Sequence, residues 1–358
     1  MPLPEKQLIS RIRALKTSRN RALAAGIGDD CAVLRVPRGR EALVTTDFSL
    51  EGVHFRREWH PAEVVGHRCL TRGLSDIAAM GGEPIAAFLS LALPADLEQK
   101  WVDGFLRGFN ALARKFGVTL AGGDTAQSPT FQCRDGAVPR PRSAKVTAGR
   151  GTAPSLHKQA APHGLILADV MVLGSVPQGK AVLRSGARVG DDIYVTGKLG
   201  MGVAALNRLF AGEQAAKVQR DKTAAKHFRP MPRLDIGQYL REHRLASAMI
   251  DISDGLSIDL AHICEESGVS AWIAEEAMPI AVGATLEHAL HGGDEYELIF
   301  TARPEKHKSV PKSLGGVPIT WIGTVTNAKK RQAGMVWLVN NDRGPSQLKP
   351  QGWEHFMG

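Results

Sequence analysis

The chain has 358 residues, long for one hydrophobic core, so two domains are expected. With 43% hydrophobic and 23% charged residues it has the composition of an ordinary soluble globular protein. The four cysteines are scattered with no CxxC pair, which argues against a zinc site or a disulfide framework and fits a reducing cytosol. The start, MPLPEKQLISRIRALK, lacks the apolar core of a signal peptide, and the run from Leu165 to Val176 is too short to cross a bilayer. A net charge of +9 invites a nucleic-acid partner, so its location matters. More than half of the excess lies in Thr130 to His163, where Arg134, Arg140, Arg142, Lys145, Arg150 and Lys158 face the single acid Asp135. Only Phe131 is interleaved with those charges, so a solvated basic loop is expected there and nucleic-acid binding is not.

In chain order, Leu8, Ile12 and Leu15 mark a short amphipathic helix over residues 5–16. Gly26 to Phe55 then reads GIGDDCAVL, a polar turn, and ALVTTDFSLEGVHF. Asp29 and Asp30 sit in a glycine turn, and Thr45, Thr46 and Asp47 end an apolar run. Carboxylates beside glycines at strand ends suit a hard cation, because Mg²⁺ takes oxygen ligands and the chain must bend closely around it. A helix follows from Pro61 to Met80, stopped by Gly81 and Gly82. Asp76 lies near its C-terminal end, where the macrodipole disfavours an anion; a bound cation, or an ion pair with Arg72 one turn earlier, would offset that cost. AAFLSLALP reads as a buried strand. Leu97, Trp101, Phe105, Phe109, Leu112 and Phe116 mark a long helix with a wide apolar face. VTLAGGDT reads as a strand running into a glycine loop with Asp124 at its tip.

Beyond the basic segment, GLILADVMVLGSV reads as a strand. GSVPQGK has the glycine and lysine spacing of a P-loop, but Ala181 follows Lys180 and Pro177 removes a backbone N–H, so a P-loop is rejected. GIGDDC likewise lacks the third glycine of a dinucleotide fingerprint. A domain boundary is expected near Ala187. MIDISDGLSIDLAHICEESG reads as strand, turn and helix, with Ser253 or Asp254 as the N-cap. Capping accounts for Asp254 but not for Asp251, which lies on the strand side. HGGDEYELIF, ITWIGTV and MVWLV complete a sheet.

Asp29, Asp30, Asp47, Asp76, Asp124, Asp251 and Asp254 could point into one site. Bare, such carboxylates would repel each other by about 4 kcal/mol per pair at 4 Å and an effective dielectric of 20. Several Mg²⁺ ions would relieve that and take up substrate phosphates. The residues by themselves point to a Mg-nucleotide enzyme without a P-loop.

GIGDDCAVL, VTTDFSLEGVHF, LSDIAAMGG, LAGGDT, GKAVLRSGARVGDDIYVTG, IDISDGLSIDLAHI and GGDEYEL together closely resemble the thiamine-monophosphate kinase family, of the aminoimidazole ribonucleotide synthetase superfamily. The resemblance implies a two-domain α/β and α+β protein. Residues 1–187 would form an N-terminal α/β domain that binds metal and ATP and pairs with its copy in a homodimer, and 188–358 a C-terminal α+β domain. The implied reaction is ATP-dependent transfer of a phosphoryl group to thiamine monophosphate, giving thiamine diphosphate and ADP in the cytoplasm. The implied cofactors are several Mg²⁺ ions, with ATP as co-substrate and K⁺ as a candidate monovalent ion. Asp30, Thr45, Thr46, Asp47, Asp76, Asp124, Asp251 and Asp254 match metal-binding positions. Gly123, Asp124, Arg184 and Ser253 match ATP-contacting positions, and His54, Asp294 and Trp353 match positions that contact the thiamine substrate. Asp47, Asp124 and Arg184 are the implied catalytic residues. Three features depart from the family: Asp294 stands where glutamate is common, Gly73 where asparagine is frequent, and 130–163 resembles an insertion, read as a flexible loop with an active-site flap as the other option. The alternatives are another ATP-dependent enzyme of the superfamily and a non-catalytic Mg-nucleotide binding module. A selenophosphate synthetase would want a reactive cysteine before Cys31, which is absent.

Overall fold

The computed structural model describes residues 3, 5–14, 22–25, 33–129, 164–328 and 333–352. Asp29, Asp30, Trp353 and the basic segment 130–163 lie outside the described residues. The N-terminal half opens with α1 (Glu5–Ala14) and a small antiparallel pair, β1 (Leu23–Ala25) and β2 (Val33–Leu34). It continues with β3 (Arg40–Leu50), α2 (Ala62–Ala79), β4 (Glu83–Leu93), α3 (Gln99–Lys115), β5 (Thr119–Gln127) and β6 (Leu167–Pro177). The last four strands form one sheet in the order β3-β6-β4-β5, parallel only at β4–β5, where α3 makes the crossover.

Alternation along these strands divides the sheet into a covered and an open face. Val170, Val172, Leu89 and Leu91 are buried against helices α2 and α3. Val44 and Phe48 point the other way and are 61% and 60% exposed. The aromatic periodicity of α3 reads out as expected: Trp101, Phe105 and Phe109 stack along its inner face at 5.7 and 6.4 Å. Helix α2 is buried on nearly every side, from Val64 to Ala79, because it packs against α3, the four-stranded sheet, and elements of the C-terminal half.

The C-terminal half contains β7 (Asp192–Thr196), α4 (Met201–Phe210), α5 (Ala215–Arg220), α6 (Ala225–Phe228), α7 (Leu234–Glu242), β8 (Ala248–Asp251), α8 (Leu256–Ser267) and β9 (Ser270–Ala274). It ends with α9 (Leu286–His291), β10 (Leu298–Ala302), β11 (Ser313–Leu314), β12 (Val317–Thr326), β13 (Val336–Asn340) and β14 (Gly344–Leu348). Its sheet runs β14-β13-β9-β12-β7-β10-β8, with β11 on the side of β12. One apolar cluster spans both halves, joining Leu70, Leu74 and Ile77 of α2 to Leu234, Leu240, Met249, Leu298 and Phe300. Helix α2 is therefore the shared wall between the two sheets, and side chains on its second half meet the interior of β3 and β6 on one side and the end of β8 on the other.

Two local expectations change. Asp124 lies within β5, which runs on through the glycines to Gln127 after a register shift in its pairing with β4, so it is not at a loop tip. Helix α8 has Gly255 as N-cap at φ 131° with no side-chain cap, so neither Ser253 nor Asp254 caps it. Instead the Asp259 carboxylate reaches back from the first turn, and its Oδ2 accepts from the backbone amides of Ser253, Asp254 and Gly255 at 3.1–3.2 Å.

Candidate active site

Asp47 of β3 and Asp76 of α2 share a hydrogen bond between their carboxyl groups, and Thr45 donates its hydroxyl to Asp76. Thr45 and Asp47 reach the same helix because they are two residues apart on one strand face. Asp251, at the end of β8, accepts from Ser75 Oγ at 2.6 Å and lies within electrostatic reach of both Asp76 and Asp47. Burial, then the neighbouring Asp76, pushes the Asp47 carboxyl up to about 7. Burial likewise raises Asp76, against the lowering influence of Thr45 and Arg184. Asp251 is raised well above the carboxylate range by burial and by Asp76. Three acids from three separate elements thus crowd together with too little positive charge.

The Arg72 reading also changes. The Arg72 guanidinium forms its ion pair with Asp294, Nη2 to Oδ1 at 3.0 Å, and only its field reaches Asp76. Arg68 holds the other oxygen of Asp294 at 2.7 Å, and the Tyr296 hydroxyl donates to Oδ1. Burial alone would raise the Asp294 carboxyl; Arg68, Arg72 and Tyr296 outweigh it and hold it well below the usual range. Asp294 and Tyr296 both have left-handed backbones, φ 59° and 52°, which non-glycine residues rarely adopt. The segment is pinned by the Asp294 amide to Ser253 O and the Tyr296 amide to Ile252 O, both at 2.8 Å. His54 is close enough to Asp294 for its charge to matter, and its Nδ1 accepts from the Leu50 amide at 3.0 Å.

Thr45, Asp47, Asp76 and Asp251 therefore come together, with Arg184 beside Asp76 and with Asp294 and His54 linked to them through Arg72. Ser253 and Asp254 lie on the loop that holds Asp294, and Asp254 sits against Asp259. Thr46 and Asp124 do not join the group within this chain. Thr46 pairs with Met171, and Asp124 with Ser90, so both project to the open face of the sheet. Gly123 occupies the row of Asp47 on the covered side, where a Cβ would strike Leu89 O. Arg68, Ser75, Tyr296 and Asp259 were not singled out from the sequence for a role in the site, and Arg72 only as an ion-pair partner for Asp76. For the three on α2 the spacing (68, 72, 75) was the available signal, since i, i+4 and i+7 share a helix face.

Among the described residues no three His, Cys, Asp or Glu side chains are close enough to hold a metal ion as they stand. The donor chemistry nonetheless fits a hard cation: oxygen-only ligands, an excess of acid, and carboxyls raised by one another.

Residues 28–139 match the model of AIR synthase related protein, N-terminal domain, and residues 188–335 that of AIR synthase related protein, C-terminal domain. The thiamine-monophosphate kinase of Salmonella typhimurium is 34% identical over 370 residues, spanning 99% of each chain. A crystal structure of thiamine-monophosphate kinase from Stenotrophomonas maltophilia superposes with a TM-score of 0.73 at 31% identity, covering 95% of this chain and 98% of that one. AaThiL complexed with AMPPCP and TMP superposes with a TM-score of 0.68 at 28% identity, covering 98% and 96%. Two AIR-synthase-type domains matched in order and full-length identity above 30% establish that the chain belongs to the thiamine-monophosphate kinase family.

Proposed function

We propose that this protein transfers the γ-phosphoryl group of ATP to the phosphate of thiamine monophosphate, giving thiamine diphosphate and ADP. The observation that carries this is the meeting of Asp47, Asp76 and Asp251 beside Arg184, with Asp294 linked to them by Arg72, in a member of this family. AaThiL, complexed with AMPPCP and TMP, supports it as a relative of the same fold. The attacking group is a phosphate oxygen whose second pKa is about 6, so at neutral pH it needs no general base. That agrees with a site rich in acids and arginines and without a nucleophile–base pair.

Asp47, Asp76 and Asp251, with the Thr45 hydroxyl, would hold Mg²⁺; Asp30, Thr46, Asp124 and Asp254 are the further ligands expected from the sequence. Bound Mg²⁺ would neutralise the phosphates of both substrates. Arg184, Gly123 and Ser253 would contact ATP, and His54 and Trp353 the thiamine substrate; Asp294 is the third residue expected there from the sequence. Residues 1–187 would supply the metal and ATP side and 188–358 complete the site. The open face of the four-stranded sheet, carrying Val44 and Phe48, supports a homodimer, in which Thr46 and Asp124 would face the partner. Among the described residues no helix is long and apolar enough to cross a membrane, and Cys69 and Cys264 are free and buried, which suits the cytoplasm.

The test is ADP release from ATP and Mg²⁺ with and without thiamine monophosphate, with thiamine diphosphate quantified as product. Dependence on the thiamine ester supports the assignment. ADP release indifferent to it would overturn the assignment.

A further inference from the structure

Arg72 lies one helical turn before Asp76 on α2, with its side chain only 12% exposed. One Nη is committed to Asp294 across the boundary between the two sheets, and the guanidinium carbon is 6.0 Å from the centre of the Tyr296 ring. Its charge acts on Asp47 and Asp76 on the other side. Its Nε is buried and has no hydrogen-bond partner among the described residues. A buried N–H without an acceptor is costly and uncommon, so an acceptor is expected there. Arg68 differs: its Nη1 donates to His227 O and its Nη2 to Asp294. Asp294 in turn already receives both arginines and the Tyr296 hydroxyl. Two arginines against one aspartate leave a surplus positive charge between the carboxylate group and the loop that carries Asp294.

We propose that Arg72 is a substrate-contacting residue, whose free Nε–H takes an oxygen of the acceptor's phosphate monoester while Asp294 holds its Nη2. A planar guanidinium suits this double role better than a lysine does, because its donors stand at fixed angles, so that one can hold Asp294 while another takes a phosphate oxygen. Asp294 then acts through Arg72, as a positioning residue, rather than by touching the thiamine ring system. This deepens the phosphoryl-transfer assignment and rests on it.

The experiment is equilibrium binding of thiamine monophosphate and of thiamine, each in the presence of Mg²⁺ and AMPPCP, for the wild type, Arg72→Met, Arg72→Lys and Asp294→Asn. Loss of one charge-assisted hydrogen bond corresponds to roughly 10- to 100-fold in affinity. Arg72→Met should weaken the monophosphate by that factor and leave thiamine unchanged. Arg72→Lys should fall between, and Asp294→Asn should follow the same selectivity as Arg72→Met. Equal losses for thiamine and its monophosphate, or no loss for either, would overturn the proposal. So would a loss confined to thiamine in Asp294→Asn, which would place that carboxylate on the ring system. If Arg72→Met does not fold, as judged by thermal unfolding, the lysine and Asp294 variants decide by the same criteria. A wild type that binds the monophosphate but does not convert it would fail the reaction assignment, while the selectivity of the variants would still judge Arg72.

Discussion

Asp47 and Asp124 stand on opposite faces of one four-stranded sheet. Asp47 shares a cross-strand row with Val170, Leu89 and Gly123, and Asp124 shares the adjacent row with Ser90, Asp169 and Phe48. Only the first row faces α2 and Asp76. Asp47→Asn should therefore reduce turnover by about 100-fold or more, the scale seen when preorganised electrostatic stabilisation of a transition state is removed. The fold should not suffer, because Asn replaces a carboxyl already burdened by burial and by Asp76. ADP release and thermal unfolding of the same preparation check both halves; full activity would exclude a metal role for Asp47.

The second row makes a separate prediction. Phe48 and Val44 are large apolar side chains left mostly in water on one sheet face, a feature that ordinarily marks an association surface. Phe48→Glu should leave the monomer fold intact, since the side chain contributes little to the core, and should shift sedimentation from dimer to monomer. A wild type that sediments as a monomer would remove the basis for the homodimer.

Much of this site was legible in the sequence because aspartates beside glycines at strand and helix ends are rare enough to stand out when repeated. Asp47, Asp76 and Asp251 were found that way and do converge, although Asp47 lies inside β3, which runs on to Leu50, and not at its end. The sheet face on which each acid falls was not legible. That depends on a period of two counted from a register, and the shift in β4–β5 pairing upstream of Asp124 cannot be read from LAGGDT. The partners of Asp294 were hidden for another reason. Arg68 and Arg72 are 226 and 222 residues away in sequence, and a helix such as α2, buried all round, gives no amphipathic stripe to say which side meets which sheet. The P-loop decoy fared as its chemistry demanded: GSVPQGK is the end of β6 and the loop after it, and Lys180 leads into coil and a single 3₁₀ turn at Arg184–Gly186, not into an α-helix.

Asp259 offers a test of stability apart from catalysis. Its carboxylate satisfies three backbone amides that open α8, a job the sequence had assigned to Ser253 or Asp254. Asp259→Ala strands those donors in a half-buried turn and should cost about 1–3 kcal/mol in urea unfolding. Ser253→Ala should cost well under that, because the Ser253 hydroxyl caps nothing. Equal costs for the two variants would return the capping role to Ser253.

His60 and His227 predict how stability responds to acid. Their Nε2 atoms lie 3.0 Å apart in a buried contact between the loop before α2 and helix α6, which requires at least one of the two Nε2 atoms to be unprotonated as acceptor. Burial, and then the charge of Arg68, lowers His60 to about 3 and His227 well below its ordinary value. In the unfolded chain both titrate near 6.5. Between those limits the unfolded state binds more protons than the folded one. The stability from this pair is therefore complete above about 6.5 and declines as pH falls, by roughly 1 kcal/mol per pH unit for each histidine. The raised carboxyls of Asp47, Asp76 and Asp251 act in the opposite sense, losing stability as pH rises, so the total slope mixes the two. The difference between the wild type and the double variant His60→Gln, His227→Gln isolates the histidines. Urea unfolding at pH 7.5 and 5.5 should show a smaller acid penalty in the variant; the same penalty in both proteins would mean that the pair is not held neutral by the fold.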